Sequence, residues 1–424
     1  MIRILQYGAI PEAEIFARGA EAADVSAIVS GILADVKARG DAALLEYCRK
    51  FDKAELTSLA VTARELEEAL AAVEPKFLEV LEKAARNIRA FHEKQLRQGF
   101  ETVSPDGIIT GQKITPIEKV GVYVPGGTAS YPSTVLMDTI PAVIAGCSRI
   151  VMVTPPNREG KIAPVILAAA KIAGVTEIYK VGGAQAVAAL AYGTESIPRV
   201  DKIVGPGNAY VAEAKKQVFG QVSIDMIAGP SEILVIADGK SNPAHVAADL
   251  LSQAEHDRMA SAVLVTDSEA LAIAVSKELE RQIPLLPRAE IARTSIDQNG
   301  KIIVARNLTA VIEVANRIAP EHLELMVDEP FAYLDGIRNA GSIFMGRSCP
   351  EALGDYYAGP NHTLPTSGTA RFSSALNVDD FVKKSQYVYC TADILKNIGD
   401  DIAYFARKEG LEAHARSILI RTEE

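Results

Sequence analysis

Between Glu21 and about Gln98, apolar residues recur at three- and four-residue intervals, the period of helices with one buried stripe. Gly40 closes one predicted helix and Asp41 caps the next. Thr62 with Glu65 forms a capping box, and Pro75 opens a long helix. That helix carries Phe77, Leu78, Leu81, Ala85, Ile88 and Phe91 on one face and Lys76, Glu79, Glu82, Lys83, Arg86 and Arg89 on the other, which makes it a packing element. His92, near its end, reads as surface or core polarity. Ser104-Pro105-Asp106-Gly107 then makes a turn between two short extended runs.

From Val120 the pattern changes to short β-branched runs separated by helical segments, the signature of a parallel sheet covered by helices. The predicted strands are Val120–Val124, Arg149–Thr154, Glu177–Val181 and Lys202–Val204. They stop at Pro125-Gly126-Gly127, Pro155-Pro156, Gly182-Gly183 and Gly205-Pro206-Gly207. Glycine-rich loops at the carboxyl edge of such a sheet let backbone N–H groups approach a phosphate. No loop is a G-x-G-x-x-G fingerprint, and glycines serving only tight turns account for the pattern equally well. On the ligand reading, Tyr123, Gln185 and Asn208, just inside these loops, face a bound nucleotide. A second series, Glu232–Ala237, Ala262–Thr266, Lys301–Ala305, Leu323–Val327 and Ser342–Phe344, has nearly the size of the first and suggests a duplicated architecture. Asp225 to Ser231 bridges the two, and a ligand site is expected between them. From about Asp379 the chain reads as helices too short to hold a core, reaching His414.

Composition narrows the chemistry. At 424 residues, 48% hydrophobic and 23% charged, the chain suits a globular protein of two or three domains. A net charge of -10 and the absence of a Lys/Arg run argue against nucleic acid, which needs a cationic surface. A small substrate is expected instead. Cys48, Cys147, Cys349 and Cys390 are scattered, without Cys-x-x-Cys spacing, which fits a reducing compartment. Met1 to Gln6 lack a signal-peptide core and no apolar run reaches the ~20 residues of a membrane helix, so the cytoplasm is expected and a membrane partner is not.

Four places hold proton-transfer or metal-ligating side chains. Ser241-Asn242-Pro243 predicts a helix from Pro243 to about His256, which puts Gln253 and His256 on one face at i and i+3. They fill half of the roughly four positions of a zinc site. Ala319-Pro320-Glu321-His322-Leu323-Glu324 sets adjacent carboxylate and imidazole side chains before a strand. Adjacent side chains diverge there, offering two proton acceptors to two steps of one reaction, although a solvated pair fits the spacing as well. Gly354 to Pro365 is a long loop holding Asp355 and His362, with too many apolar residues for easy disorder. Glu409-Gly410-Leu411-Glu412-Ala413-His414 brings a carboxylate and an imidazole from the tail. Together Gln253, His256, Asp355 and His414 make an N/O donor set that suits zinc.

These segments resemble the histidinol dehydrogenase family: Ser252 to His256, Ala319 to Glu324, Gly354 to His362, Gly205 to Val211 and Ala228 to Glu232, with the likeness covering nearly the whole chain. The resemblance implies an α/β fold of two incomplete Rossmann-like parallel-sheet domains with a helical N-terminal region and a helical C-terminal tail. The boundaries expected are 1–114 for the helical region with a short hairpin, 115–228 for the NAD-binding domain, 229–377 for the second Rossmann-like domain and 378–424 for the tail.

The implied activity is oxidation of L-histidinol to L-histidine through the aldehyde with two NAD, closing histidine biosynthesis. The resemblance assigns one zinc per subunit to Gln253, His256, Asp355 and His414. It makes His322 the acid/base and Glu321 the base that activates water, and gives NAD Tyr123, Gln185 and Asn208. Ser231, His362 and Glu409 become substrate contacts alongside the metal ligands and His322. It also implies a homodimer whose active sites are shared, with Glu409 and His414 acting across chains.

A sibling zinc and NAD dehydrogenase of another polyol or amino alcohol is the alternative, opposed by His362 and Glu409. A zinc hydrolase is opposed by the glycine loops, which hydrolysis does not need. A cysteine thiohemiacetal route through Cys349 or Cys147 is discounted, because Cys147 sits in Ala145-Gly146-Cys147 just before an apolar strand and Cys349 has no basic imidazole beside it in sequence.

Overall fold

The computed structural model describes residues 1–18, 24–126 and 130–422; Glu21 and Gly127, which entered the reading above, lie outside them. In chain order the strands are β1 (Arg3–Gln6), β2 (Phe100–Val103), β3 (Ile109–Pro116), β4 (Lys119–Tyr123), β5 (Arg149–Thr154), β6 (Glu177–Lys180), β7 (Lys202–Val204), β8 (Ser223–Ile224), β9 (Glu232–Ala237), β10 (Ser261–Thr266), β11 (Lys301–Val304), β12 (His322–Met326), β13 (Ser342–Met345) and β14 (Val382–Tyr389). They fall into two compact units, Met1–Gln95 with Glu118–Phe381, and Leu96–Ile117 with Val382–Glu424.

The first unit holds two parallel sheets. One runs β6-β5-β4-β7-β8, and the other runs β1-β11-β10-β9-β12-β13. Leaving β1 aside, each sheet orders its strands third, second, first, fourth, fifth along the chain. This is the doubly wound arrangement, whose ligand crevice opens between the first and fourth strands. The duplicated α/β architecture is therefore as the sequence predicts, although β1 and the two-residue β8 carried too little apolar pattern to be anticipated.

Strands such as Ile233-Leu234-Val235-Ile236 are buried on both faces, which is why they read as continuous apolar runs rather than alternating ones. At the loop after β7, Gly205 has φ +117, and a Cβ there would stand 2.0 Å from the Tyr123 carbonyl oxygen. Only glycine lets the loop pass so close to the end of β4.

In the second unit β14, β3 and β2 form an antiparallel sheet, with Val382 opposite Pro116 and Tyr389 opposite Ile109. After a 3-10 turn at Val378–Phe381 the tail forms a strand, and it becomes α-helical only from Ala392. Val382 to Tyr389 is largely exposed, so it lacks the apolar alternation that announces a strand. Its helix Ala392–Lys408 runs 17 residues, longer than expected, and packs through Ala403 and Ala406 on Ala415 of the helix Glu412–Leu419.

Candidate active site

The carboxyl edge of the first sheet opens into a cavity of about 960 Å³ lined by Tyr123, Gly126, Pro155, Gly183, Gln185 and Asn208, among others. Tyr123 ends the central strand, and its hydroxyl accepts from the Gly183 N–H at 3.1 Å. Burial pushes that phenol up to about 12. Gly183 opens the helix Gly183–Tyr192, which carries no side-chain cap, so beyond the Gly183 amide taken by Tyr123 its next amides remain available to an anion. Lys50, Arg158 and Lys161 add positive charge to the same wall.

Asn208 caps the helix Ala209–Val218, its Oδ1 accepting from the Tyr210 and Val211 amides at 3.1 and 3.2 Å. Asn208→Ala is expected to lower unfolding free energy by about 1 kcal/mol, the usual worth of such a cap. Asn208→Asp, which keeps the acceptor, should stay near the parent in chemical denaturation. Equal loss in both variants would show the cap to be idle.

In the second sheet the corresponding crevice is closed. Beyond the ends of β9 and β12, Arg347 donates to Asp238 at 2.8 and 2.9 Å, to Asp328 at 2.8 Å and to the Met326 carbonyl at 2.8 Å. The chemistry-bearing residues gather instead at the opposite, amino edge, where β9, β12 and β13 begin. Ser231 immediately precedes β9, Glu321 precedes β12, and His322 is its first residue.

Glu321 and His322 converge more than adjacent strand residues do, with Oε2 and Nδ1 3.6 Å apart. Glu321 lies outside the strand, after Ala319 in a left-handed conformation at φ 52, so pleat alternation does not separate the two side chains. Both are held by one residue of the neighbouring strand. The Glu232 N–H donates to Glu321 Oε2 at 2.8 Å, and the Glu232 carbonyl lies 3.0 Å from His322 Nδ1. Gln253 brings its Nε2 within 2.9 Å of the same Nδ1. One nitrogen cannot donate to the carbonyl and accept from the amide at once. The two contacts therefore compete for Nδ1, and Nε2 is the nitrogen turned into the site.

Gln253 is the penultimate residue of the helix Pro243–Ala254, which Asn242 caps. His256 falls just past its end, where its N–H still donates to the Gln253 carbonyl at 3.1 Å. The helix therefore stops two residues short of the predicted boundary, within the fraying expected of helix ends. Asp355 sits in a π-helical turn, Gly354–Ala358, inside what the sequence presented as loop. Its Oδ1 is 3.6 Å from His322 Nε2. Burial raises the Asp355 carboxyl, but the nearby His322 imidazole and the fields of His362 and His256 overcome it and hold it below its ordinary value.

Burial lowers His256 and His362 and would lower His322 too. There Glu321, Glu351 and Asp355 win and hold the imidazole well above the usual histidine range. Burial pushes Glu321 up to about 8.

His362 and Asp355 line a second cavity of about 110 Å³ with Phe344, Cys349 and Asn361. The segment is fixed to the helix Pro132–Ala145, which leads out of the first sheet. Asn361 Nδ2 donates to the Met137 carbonyl at 2.7 Å, Thr363 Oγ1 to Asp138 at 2.6 Å, and Thr134 Oγ1 lies 3.4 Å from His362 Nε2. Cys147 is half-buried with its thiol pushed up to about 11, which suits an inert cysteine. Cys349, discounted on sequence, does share the small cavity with His362.

Gln253, His256, His322, Asp355 and His362 thus come together within the first unit. Glu409 and His414 belong to the second, Glu409 ending the helix Ala392–Lys408 and His414 lying in Glu412–Leu419, both exposed.

Glu351 was not anticipated. It is 2% exposed, its Oε2 accepts from Ser252 Oγ at 2.8 Å and its Oε1 is 3.9 Å from His322 Nε2. Among the described residues, donor atoms of His322, Glu351 and Asp355 lie within 4.8 Å of one another. A signal existed in β12, where His322 and Glu324 alternate with Leu323 and Leu325. Two ionisable residues on one face of a buried parallel strand need polar partners nearby, and the Glu351 N–H, which donates to Glu324 at 2.7 Å, is one.

The donor set fits a cation. Gln253 Oε1 and Asp355 Oδ1 are buried with no hydrogen-bond partner, a costly state that a metal ion relieves, and His322 Nε2 beside them is likewise unpartnered. Nitrogen and oxygen donors from glutamine, histidine and aspartate suit zinc.

Residues 17–422 match the family model described as histidinol dehydrogenase. The histidinol dehydrogenase of Geobacillus kaustophilus is 57% identical over 396 residues, 93% of each chain, and that of Clostridium acetobutylicum 52% identical over 426 residues, 99% of each. The crystal structure of histidinol dehydrogenase from Elizabethkingia anophelis superposes with a TM-score of 0.95 at 40% identity, covering all of this chain and 98% of that one. On sequence and fold together, the chain belongs to the histidinol dehydrogenase family and is an oxidoreductase.

Proposed function

We propose that the protein oxidises L-histidinol to L-histidine in two NAD-dependent steps, with zinc held by Gln253, His256 and Asp355 of one chain and His414 from the tail of a partner chain in a homodimer. The observation that carries this reading is the pair of unpartnered buried oxygens, Gln253 Oε1 and Asp355 Oδ1, beside an unpartnered His322 Nε2 and a buried Glu321. When bound, zinc would anchor the substrate as a Lewis acid and offset the charge of Asp355, and NAD would supply the hydride acceptor.

The rest falls to side chains of the protein. In its neutral form, which the surrounding carboxylates make strongly basic and confine to raised pH, His322 Nε2 takes the hydroxyl proton as the carbinol carbon loses hydride, giving the aldehyde. Glu321 then takes a proton from water as the water oxygen bonds to the aldehyde carbon. His322 meanwhile returns its proton to the carbonyl oxygen, completing the diol, and then takes a hydroxyl proton from it as the second hydride leaves; the acid so formed loses its last proton to water and is the carboxylate of histidine. Two bases serve because two oxygen nucleophiles are deprotonated at different positions.

Tyr123, Gln185 and Asn208 line the nucleotide crevice of the 115–228 domain. Ser231 and His362 contact the substrate in the 229–377 domain, and Glu409 of the 378–424 tail joins them from the partner. The cytoplasm, where the product is needed for protein synthesis, is the proposed location.

Adding L-histidinol and excess NAD is expected to give two NADH per substrate, to lose that activity on chelation and to regain it with zinc. Activity indifferent to complete metal removal would overturn the ligand assignment, and turnover abolished in folded Cys349→Ala would replace these steps with a covalent thiol route.

A further inference from the structure

We propose that Arg18 is a positioning residue for the reaction, clamping Glu232 so that the backbone of that residue holds both Glu321 and His322 in working geometry. The inference rests on the catalytic reading above and adds a residue that lies outside every motif considered so far.

The clamp is built from three sides. The Arg18 guanidinium pairs with Glu232 Oε1 and also donates to the Ile318 carbonyl at 2.6 Å. It therefore ties the first residue of β9 to the end of the helix Leu308–Ile318, which delivers Glu321 and His322 to β12. Glu232 is fixed on its other side by the sheet, because Ile233 pairs with His322 across the β9–β12 ladder. Its N–H and carbonyl are the atoms that hold Glu321 and His322, so any displacement of the Glu232 backbone moves both bases together. Burial pushes the Glu232 carboxyl up, and Arg18 is foremost among the neighbours that pull it back.

The seat of Arg18 is made for it. Ser367 and Gly368 both take positive φ, 57 and 79, and a Cβ on Gly368 would come within 2.7 Å of Arg18 Nη2. Two successive left-handed residues, one of them not glycine, are strained backbone of the kind retained at functional sites.

Removing the guanidinium leaves a buried carboxylate without its counter-charge at the peptide that orients both bases. A shift of a catalytic group by about 1 Å costs on the order of 100-fold in rate. Arg18→Ala is therefore expected to lower kcat by roughly 10- to 100-fold while the KM for histidinol and for NAD stays within about threefold, with zinc content unchanged. Millimolar guanidinium should restore part of the rate. Arg18→Ala with Glu232→Gln should exceed Arg18→Ala alone, since the stranded charge is gone. Arg18→Lys should fall between parent and Arg18→Ala.

A parental kcat in Arg18→Ala overturns the proposal. So does a loss that neither guanidinium nor Glu232→Gln relieves, since that marks a role in stability alone. His322→Asn and Glu321→Gln, assayed alongside, separate the two layers: if both remain active the catalytic reading itself fails, whereas loss there with a silent Arg18→Ala removes only the clamp.

Discussion

Replacing His322 with asparagine is expected to lower kcat for histidinol oxidation by on the order of 10³-fold, the central range for loss of a positioned general base. The site explains why the loss should be chemical rather than structural. His322 is 3% exposed and stacks on Phe344 with ring centroids 6.0 Å apart, so its volume matters, and asparagine keeps a polar group near the Glu232 carbonyl. What asparagine lacks is a titratable nitrogen facing Asp355. Zinc content should stay at the parental level, because the proposed ligands Gln253, His256 and Asp355 are untouched. Metal analysis beside single-turnover NADH formation checks both halves. A variant that loses zinc together with activity would make His322 a ligand instead, a result that its Nε2, 3.6 Å from Asp355 Oδ1, makes worth measuring.

The second large effect is expected at the crevice of the first sheet. Lys215 and Asp225 form an ion pair with side chains 2% and 1% exposed, and both grip Gly205. Lys215 Nζ donates to the Gly205 carbonyl at 2.8 Å, while Asp225 Oδ2 accepts from the Gly205 N–H at 2.8 Å. Lys215→Met strands the Asp225 carboxylate in the interior, a change that typically costs about 3–5 kcal/mol. Chemical denaturation should show a loss of that size, with recovery of part of it in Lys215→Met with Asp225→Asn. Because the pair pins the loop that leads to Asn208, the KM for NAD should rise in the surviving folded enzyme. A loss below about 1 kcal/mol would mean that water enters the site and screens the pair.

How much of this was legible in the sequence follows from which interactions are local. Capping boxes, glycine stops and β-branched runs are written over a few residues. Thr62 with Glu65, and the strands Arg149–Thr154 and Glu232–Ala237, therefore stand where the pattern placed them. β1 and β14 were not legible, because each is stabilised by a partner far along the chain, Lys301–Val304 for one and Ile109–Pro116 for the other. The site divides in the same way. Gln253, His256, Glu321, His322 and Asp355 announce themselves by residue type in short clusters. Glu351 and Arg18 do not, since a lone glutamate after proline and a lone arginine near the N-terminus look like any surface charge until tertiary structure buries one and aims the other. The tilt of Glu321 toward His322 was hidden too, because it depends on where the strand begins, to within one residue.

That dependence has a consequence for how the enzyme is made. His322 lies opposite Ile233 and Leu323 opposite Leu234, so the orientation of the imidazole is set by the pairing of two strands some ninety residues apart. Were β12 to zip against β9 one position out of step, His322 would face the opposite side of the sheet and a leucine would occupy its place. Such a molecule would keep its secondary structure and much of its packing yet convert nothing, so specific activity per folded chain becomes a gauge of strand alignment during refolding.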